Sequence, residues 1–155
     1  DAGVDLLAVE TMLSIEESTV ALEAAKAVCD LPVLCSLTME SDGHLLFGGT
    51  AREAVETLSA LGASAVGLNC SVGPDQLEAV VSELCASATV PVLVKPNAGL
   101  PVIDAQGHAH YSMSPNEFAA AMRRLVDCGA RVVGGCCGTN PDYIHALKAA
   151  LETTK

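Results

Sequence analysis

The sequence predicts an α/β protein organised on a parallel sheet, arranged as part of a (β/α)8 TIM barrel. Three observations carry that expectation. Apolar runs begin near residues 6, 32, 65, 91 and 131, and each leads into a helical segment, a spacing that suits strand–helix units joined by right-handed crossovers. The 155 residues are half hydrophobic but include no Trp, two Tyr and two Phe, so the core must be built from Val, Leu, Ile and Ala. Each apolar run also ends in a chemically able side chain: Glu10, Thr38, Cys70, Lys95 with Asn97, and Cys136-Cys137. In a barrel the chemistry gathers on the loops that follow the strands. A doubly wound nucleotide fold would carry a Gly-rich phosphate turn after its first strand, and Glu10-Thr11-Met12-Leu13-Ser14 has no glycine. A complete barrel takes about 250 residues. Five units over residues 1–155 therefore correspond to the C-terminal five-eighths of one, about strands 4 to 8.

The elements follow in order. Leu6 to Val9 is a short apolar strand closed by Glu10-Thr11, and Ser14-Ile15-Glu16-Glu17 is a capping box that opens a helix to about Cys29. Pro32 to Thr38 is the second strand. A Gly-rich loop, Asp42 to Gly49, leads to the box Thr50-Ala51-Arg52-Glu53, and Gly62 ends the helix begun there. Val66 to Cys70 is the third strand and Pro74 to Ala86 its helix. Pro91 to Lys95 has the continuous apolar middle of a strand buried on both faces. The longest irregular region runs from Pro96 to about Tyr111, after which Ser114-Pro115-Asn116-Glu117 opens a helix to Cys128 that Gly129 stops. Arg131 to Gly135 is the fifth strand. Asn140 as N-cap and Pro141 at the first helical position start the closing helix to about Leu151.

Composition excludes several classes of partner. A formal charge of −11, from 8 basic and 19 acidic residues, disfavours a nucleic-acid backbone, and no polybasic stretch suits an anionic membrane. No apolar run reaches about 18 residues and no signal-like segment is present, so the expectation is a soluble, cytoplasmic chain. Seven cysteines is an odd number in a chain too large to need disulfide staples, which points to free thiols and a metal site. The opening Asp1-Ala2-Gly3-Val4-Asp5 reads as the link between a helix and a strand, so the chain is expected to be a piece of something longer.

Two adjacent cysteines cannot both face the core of one strand, because successive side chains point to opposite faces. Just past a strand end, where Gly134, Gly135 and Gly138 free the backbone, both Cys136 and Cys137 can turn toward one centre. Cys70 stands in the same setting upstream. Three such thiols suit a tetrahedral zinc whose fourth position stays open; the competing reading is a small buried hydrophobe at Cys70 and a packing accident at the pair. For Cys29, Cys35, Cys85 and Cys128, on helices or inside a strand, core packing is the expectation. Glu10 is either a substrate ligand or a solvated carboxylate near a helix N-terminus. Lys95 is either a Schiff-base lysine or the partner of a carboxylate. His44, His108, His110 and His145 show no metal spacing and are expected at the surface.

Gly67-Leu68-Asn69-Cys70, Lys95-Pro96-Asn97-Ala98-Gly99-Leu100-Pro101 and Gly134-Gly135-Cys136-Cys137-Gly138-Thr139 resemble, in order and separation, the signature blocks of the zinc-dependent homocysteine S-methyltransferase family. The similarity runs from the Glu10 block to the final helix and is nearest to the homocysteine-binding domain of cobalamin-dependent enzymes. What it implies is a (β/α)8 barrel that binds Zn2+ through Cys70, Cys136 and Cys137, the same three residues serving as the catalytic centre. Val9-Glu10-Thr11 resembles the acidic strand end that holds the amino group of homocysteine. Asn69 then shapes the zinc loop or bonds the substrate. The resemblance also implies that the chain begins near the family's fourth strand, with the first three barrel strands as missing partners.

The implied reaction is methyl transfer to the thiol of homocysteine, giving methionine. A free thiol of pKa about 8.5 is mostly protonated at neutral pH, and coordination to zinc would hold it as a nucleophilic thiolate. The implied donor is methylcobalamin on another domain or a corrinoid protein, with S-methylmethionine or another sulfonium as rivals. Two other classes remain open at this point: a phosphate-handling or Schiff-base barrel enzyme using Lys95, and a non-catalytic zinc scaffold whose fourth ligand is a protein group.

Overall fold

The computed structural model describes residues 2–152. Its five parallel strands, β1 (Leu7–Met12), β2 (Val33–Leu37), β3 (Ala65–Cys70), β4 (Val92–Pro96) and β7 (Val132–Val133), lie side by side in the order in which the chain visits them. That order decides the architecture. A doubly wound sheet reverses direction part-way, whereas a monotonic order with right-handed crossovers puts every helix on one face, as in a barrel wall. The fold is a partial (β/α)8 barrel. The helices are α1 (Ile15–Val28), α2 (Ala51–Ala60), α3 (Glu78–Ser87), α4 (Pro115–Asp127) and α5 (Pro141–Glu152), none long and apolar enough to cross a membrane.

Local signals place most of these elements. Thr50 with Glu53 and Ser114 with Glu117 each form a complete reciprocal capping box. Asn140 accepts from the Asp142 amide at 2.9 Å as the N-cap of α5. Gly62 and Gly129 end α2 and α4 at φ +86° and +117°, a region open to glycine. The Ser14 box is only half made. Ser14 accepts from the Glu17 amide, but the Glu17 carboxylate turns to the Leu13 amide instead of closing on Ser14.

Four expectations need correction in detail. The segment from Pro74 is a 3-10 turn, Pro74–Gln76, before α3 begins at Glu78. Proline at the first position sets the turn, and Leu77, buried completely, pins the break between the two. The region after Pro96 is not wholly irregular: β5 (Pro101–Ile103) and β6 (Ala109–Tyr111) form an antiparallel hairpin. The first strand runs on through Glu10 and Thr11 to Met12, with a register shift after Val9. The last strand is regular over only two residues, although the Gly134 and Cys136 amides still donate to β4, to Val94 and Pro96. Glycines at 134 and 135 let this stretch leave regular pleating before the cysteines.

The core lies between the sheet and its helices. Cys35, Leu37, Val66, Leu68 and Val94 are 0–1% exposed and pack with Leu22, Val55, Leu58, Leu84 and Leu125 from the helices. It is aliphatic, as composition demanded. Phe118 is its one fully buried aromatic, edge-on to Tyr143 at 5.6 Å between centroids, joining α4 to α5. Gly67 has a separate job: a Cβ there would lie 1.7 Å from the Leu93 carbonyl oxygen, so only glycine lets β3 approach β4.

Among the described residues, β1 and β7 each pair on one side only. Open edges of parallel apolar strands recruit partners. Sedimentation of the isolated chain at micromolar concentration is expected to show self-association, and a monodisperse monomer would mean that the edges are protected in some other way.

Candidate metal centre

Because all five strands run the same way, their C-terminal ends form one rim. Cys70 is the last residue of β3, and Cys136 and Cys137 follow β7 on the same rim. The three sulfurs lie within 4.8 Å of one another. Cys70 Sγ is 3.7 Å from Cys137 Sγ, which is 4.0 Å from Cys136 Sγ. Zinc–sulfur bonds of about 2.3 Å in a tetrahedron put sulfurs roughly 3.8 Å apart. The spacing therefore fits a zinc-sized ion, and soft thiols are the donors such an ion prefers. Among the described residues no His, Asp or Glu joins the group as a fourth ligand.

Asn69 and Asn97, both buried, hold the sulfurs in place. The Asn69 side-chain oxygen accepts from the Thr11 amide at 2.9 Å and the Ser36 hydroxyl at 2.7 Å. Its amide nitrogen donates to Thr11 Oγ1 at 2.8 Å and reaches Cys136 Sγ at 3.7 Å. One side chain thus joins the ends of β1, β2 and β3 to the cysteine pair. Asn97 donates to the Ser71 carbonyl at 2.9 Å and accepts from the Cys137 amide at 3.0 Å, tying the two sulfur-bearing loops together. Thr139 closes the Cys136-Cys137 turn by donating to the Cys136 carbonyl at 2.7 Å.

The backbone is strained where this clamp acts. Thr11, Cys70 and Ser71 have φ of +60°, +67° and +64°, the left-handed region that costs a non-glycine residue on the order of 1–3 kcal/mol. These are the chain's non-glycine residues of positive φ among those described, and they surround the sulfurs. The left-handed turn at Cys70-Ser71 ends β3 at the sulfur and presents the Ser71 carbonyl to Asn97.

Without a metal the thiols differ. Desolvation pushes Cys70 up to about 11, reinforced by the neighbouring cysteines. Burial pushes Cys136 up too, but hydrogen bonds, first from the Asn69 amide, prevail and bring it below an ordinary thiol.

Glu10 and Lys95 meet as an ion pair across the open face of the sheet, their side chains 42% and 23% exposed. Lys95 is therefore a carboxylate partner, and Glu10 is not simply solvated. Desolvation lowers the Lys95 pKa while the nearby Cys136 opposes the shift. All four histidines are exposed, His108 and His110 against Asp104 and His44 against Asp42. Cys35 is buried, while Cys29, Cys85 and Cys128 are partly buried, the last two against the core.

A family model describing homocysteine S-methyltransferase matches residues 1–151, the whole span that carries these strand ends. The chain belongs to the homocysteine S-methyltransferase family. Methionine synthase of Mycobacterium leprae is 37% identical over 157 residues, covering 97% of this chain and 13% of that protein. The homocysteine methyltransferase MmuM of Escherichia coli, in its metallated form, superposes with a TM-score of 0.77 at 31% identity, covering 96% of this chain and 46% of the other. The chain thus spans less than half the length of each. An archaeal fructose 1,6-bisphosphate aldolase, at TM-score 0.55 and 16% identity, shares the fold alone.

Within this family member, two site residues escaped the sequence reading in their actual roles. Asn97 was visible only as a polar strand end, and its clamp on residues 71 and 137 is a long-range fact with no local signature. Tyr111 is the last residue of β6, in a stretch that the sequence presents as irregular. Its ring covers Gly138, where a Cβ would lie 2.2 Å from Tyr111 Cγ, and its phenol pKa is raised, first by desolvation and then by Cys137 beside it.

Replacing Asn69 with Ala would orphan the buried Ser36 hydroxyl and the Thr11 amide. At about 1–3 kcal/mol for each unsatisfied group, urea denaturation should show a loss of at least ~2 kcal/mol. A loss below about 0.5 kcal/mol, the size of an ordinary surface change, would refute the clamp.

Proposed function

We propose that this chain is the C-terminal, zinc-binding part of a homocysteine-binding barrel, strands 4 to 8, and that it transfers a methyl group to the homocysteine thiol to give methionine. The observation that carries the reading is the convergence of three thiols within 4.8 Å, open on one side, at the C-terminal rim of a parallel sheet in a member of this family. Cys70, Cys136 and Cys137 would hold Zn2+, which, when bound, supplies the Lewis acidity that keeps a substrate thiol deprotonated at neutral pH.

The protein's own residues do the rest. The two asparagines brace the loops that carry the three sulfurs, which limits the reorganisation that loading would need. Asn69 donates toward Cys136 and thereby favours its thiolate. Glu10, on the open face beside the rim, would take the substrate ammonium and aim the sulfur at the centre. With Zn2+ bound, the neutral thioether of the product would be a weaker ligand than the substrate thiolate, which would favour its release. The resemblance of the strand-end blocks to cobalamin-dependent members of the family favours methylcobalamin, borne on another domain or a corrinoid protein, as donor.

The rival readings have less support. A Schiff-base lysine needs an uncharged amine, and the ion pair with Glu10 favours the Lys95 ammonium. A closed zinc scaffold needs a fourth protein ligand, and the described residues offer three.

In the zinc-loaded protein, Cys136→Ser is expected to lose metal and methyl transfer together, because a hydroxyl at neutral pH is a far poorer ligand than a thiolate. Cys128→Ser, at the C-cap of α4, should lose neither. Glu10→Gln should keep its zinc and raise KM for homocysteine about tenfold or more, the loss of one charge-assisted hydrogen bond. Zinc content measured beside homocysteine kinetics separates these outcomes. Full activity in a metal-depleted Cys136 variant would sink the mechanism.

A further inference from the structure

Glu10 and Lys95 are the only charged residues on the five strands of the parallel sheet. The fold has little use for them. A pair this exposed contributes about 0–1 kcal/mol, and desolvation works against the Lys95 charge. Lys95 nevertheless lies close to Cys136, and Glu10 is paired with it. Lys95 is in register with Asn69, the residue before Cys70. Its stem passes Gly134, where a Cβ would lie 3.3 Å from Lys95 Cγ, and Cys136 is near enough to act on its charge. The absent side chain at 134 leaves the lysine room to move.

We propose that Lys95 binds the α-carboxylate of the amino-acid thiol, so that Glu10 and Lys95 together read the zwitterionic end of the substrate. The inference rests on the proposed homocysteine reading and adds to it a specificity-determining residue, the one that requires the α-carboxylate. Three arguments support it. In an amino acid the two charged groups hang on one carbon, so their partners must be adjacent, and Glu10 and Lys95 are in contact. In a chain of net charge −11, a carboxylate brought beside Glu10 and three sulfurs meets negative charge unless a cation is there, and Lys95 is the one cation on those strands. Exchange of one ion pair for two leaves the net charge of the site unchanged. The resting pair keeps each partner charged and near its working position until the substrate replaces it.

Calorimetric titration of the zinc-loaded protein tests this, with homocysteine and with 3-aminopropane-1-thiol, which keeps the amine and thiol but has no carboxylate. The unsubstituted protein should bind homocysteine about tenfold or more tighter than the carboxylate-free thiol, as loss of one charged contact requires. Lys95→Met should erase that preference by weakening homocysteine alone, with zinc content unchanged, and Lys95→Arg should restore part of it. Equal affinity of the unsubstituted protein for both thiols would overturn the proposal. So would a Lys95→Met variant that weakens both thiols alike, since that is the mark of a lysine that merely positions Glu10. If the zinc-loaded protein bound neither thiol, the homocysteine reading would fall and this inference with it.

Discussion

The site depends on one buried amide. Asn69 has two donors and two acceptor lone pairs, and the structure uses its oxygen for Thr11 and Ser36 and its nitrogen for Thr11 and Cys136. An aspartate would lack the donors, and an apolar residue would orphan every partner. Through this side chain the ends of three strands become one body with a cysteine 67 residues further along the chain. The left-handed backbone at Thr11, Cys70 and Ser71 persists because this network and the Asn97 bonds over-determine it. Preorganisation of the thiols is thus built on polar contacts under the rim rather than on the apolar core.

That division follows the two faces of the sheet. Alternation along a strand sends Cys35 and Leu37, or Val66 and Leu68, toward the helices, and Ser36, or Gly67 and Asn69, to the other side. The helix side is filled with aliphatic residues to near-complete burial. The other side carries the hydroxyl, the amides and the Glu10–Lys95 pair. A core with few aromatics suffices because the helix–sheet layer alone carries the hydrophobic load, leaving the opposite face free for chemistry.

Local chemistry was legible in the sequence. The capping boxes at Thr50 and Ser114, the cap at Asn140 and the glycine stops at 62 and 129 rest on contacts within a few residues, and all are found. The sulfur cluster was legible for a topological reason: residues at the ends of parallel strands share one rim wherever they lie along the chain. What was hidden was non-local or a competition between partners. Glu17 could close on Ser14 or on Leu13, and only the path of the chain into α1 decides. The hairpin at 101–111 comprises two short strands, largely exposed, with no apolar alternation to announce them. The union of Glu10 with Lys95 spans β1 to β4 across the open face, and each residue alone permitted two readings.

The proposed zinc site has three thiol ligands and a fourth position left open for a substrate sulfur. X-ray absorption at the zinc edge, recorded on the zinc-loaded protein before and after homocysteine is added, tests it most directly. Three sulfurs, from Cys70, Cys136 and Cys137, and one lighter atom are expected around zinc before addition, and a fourth sulfur afterwards. An unchanged ligand set on adding homocysteine, or four sulfurs already present without it, would rule out an open three-thiol site.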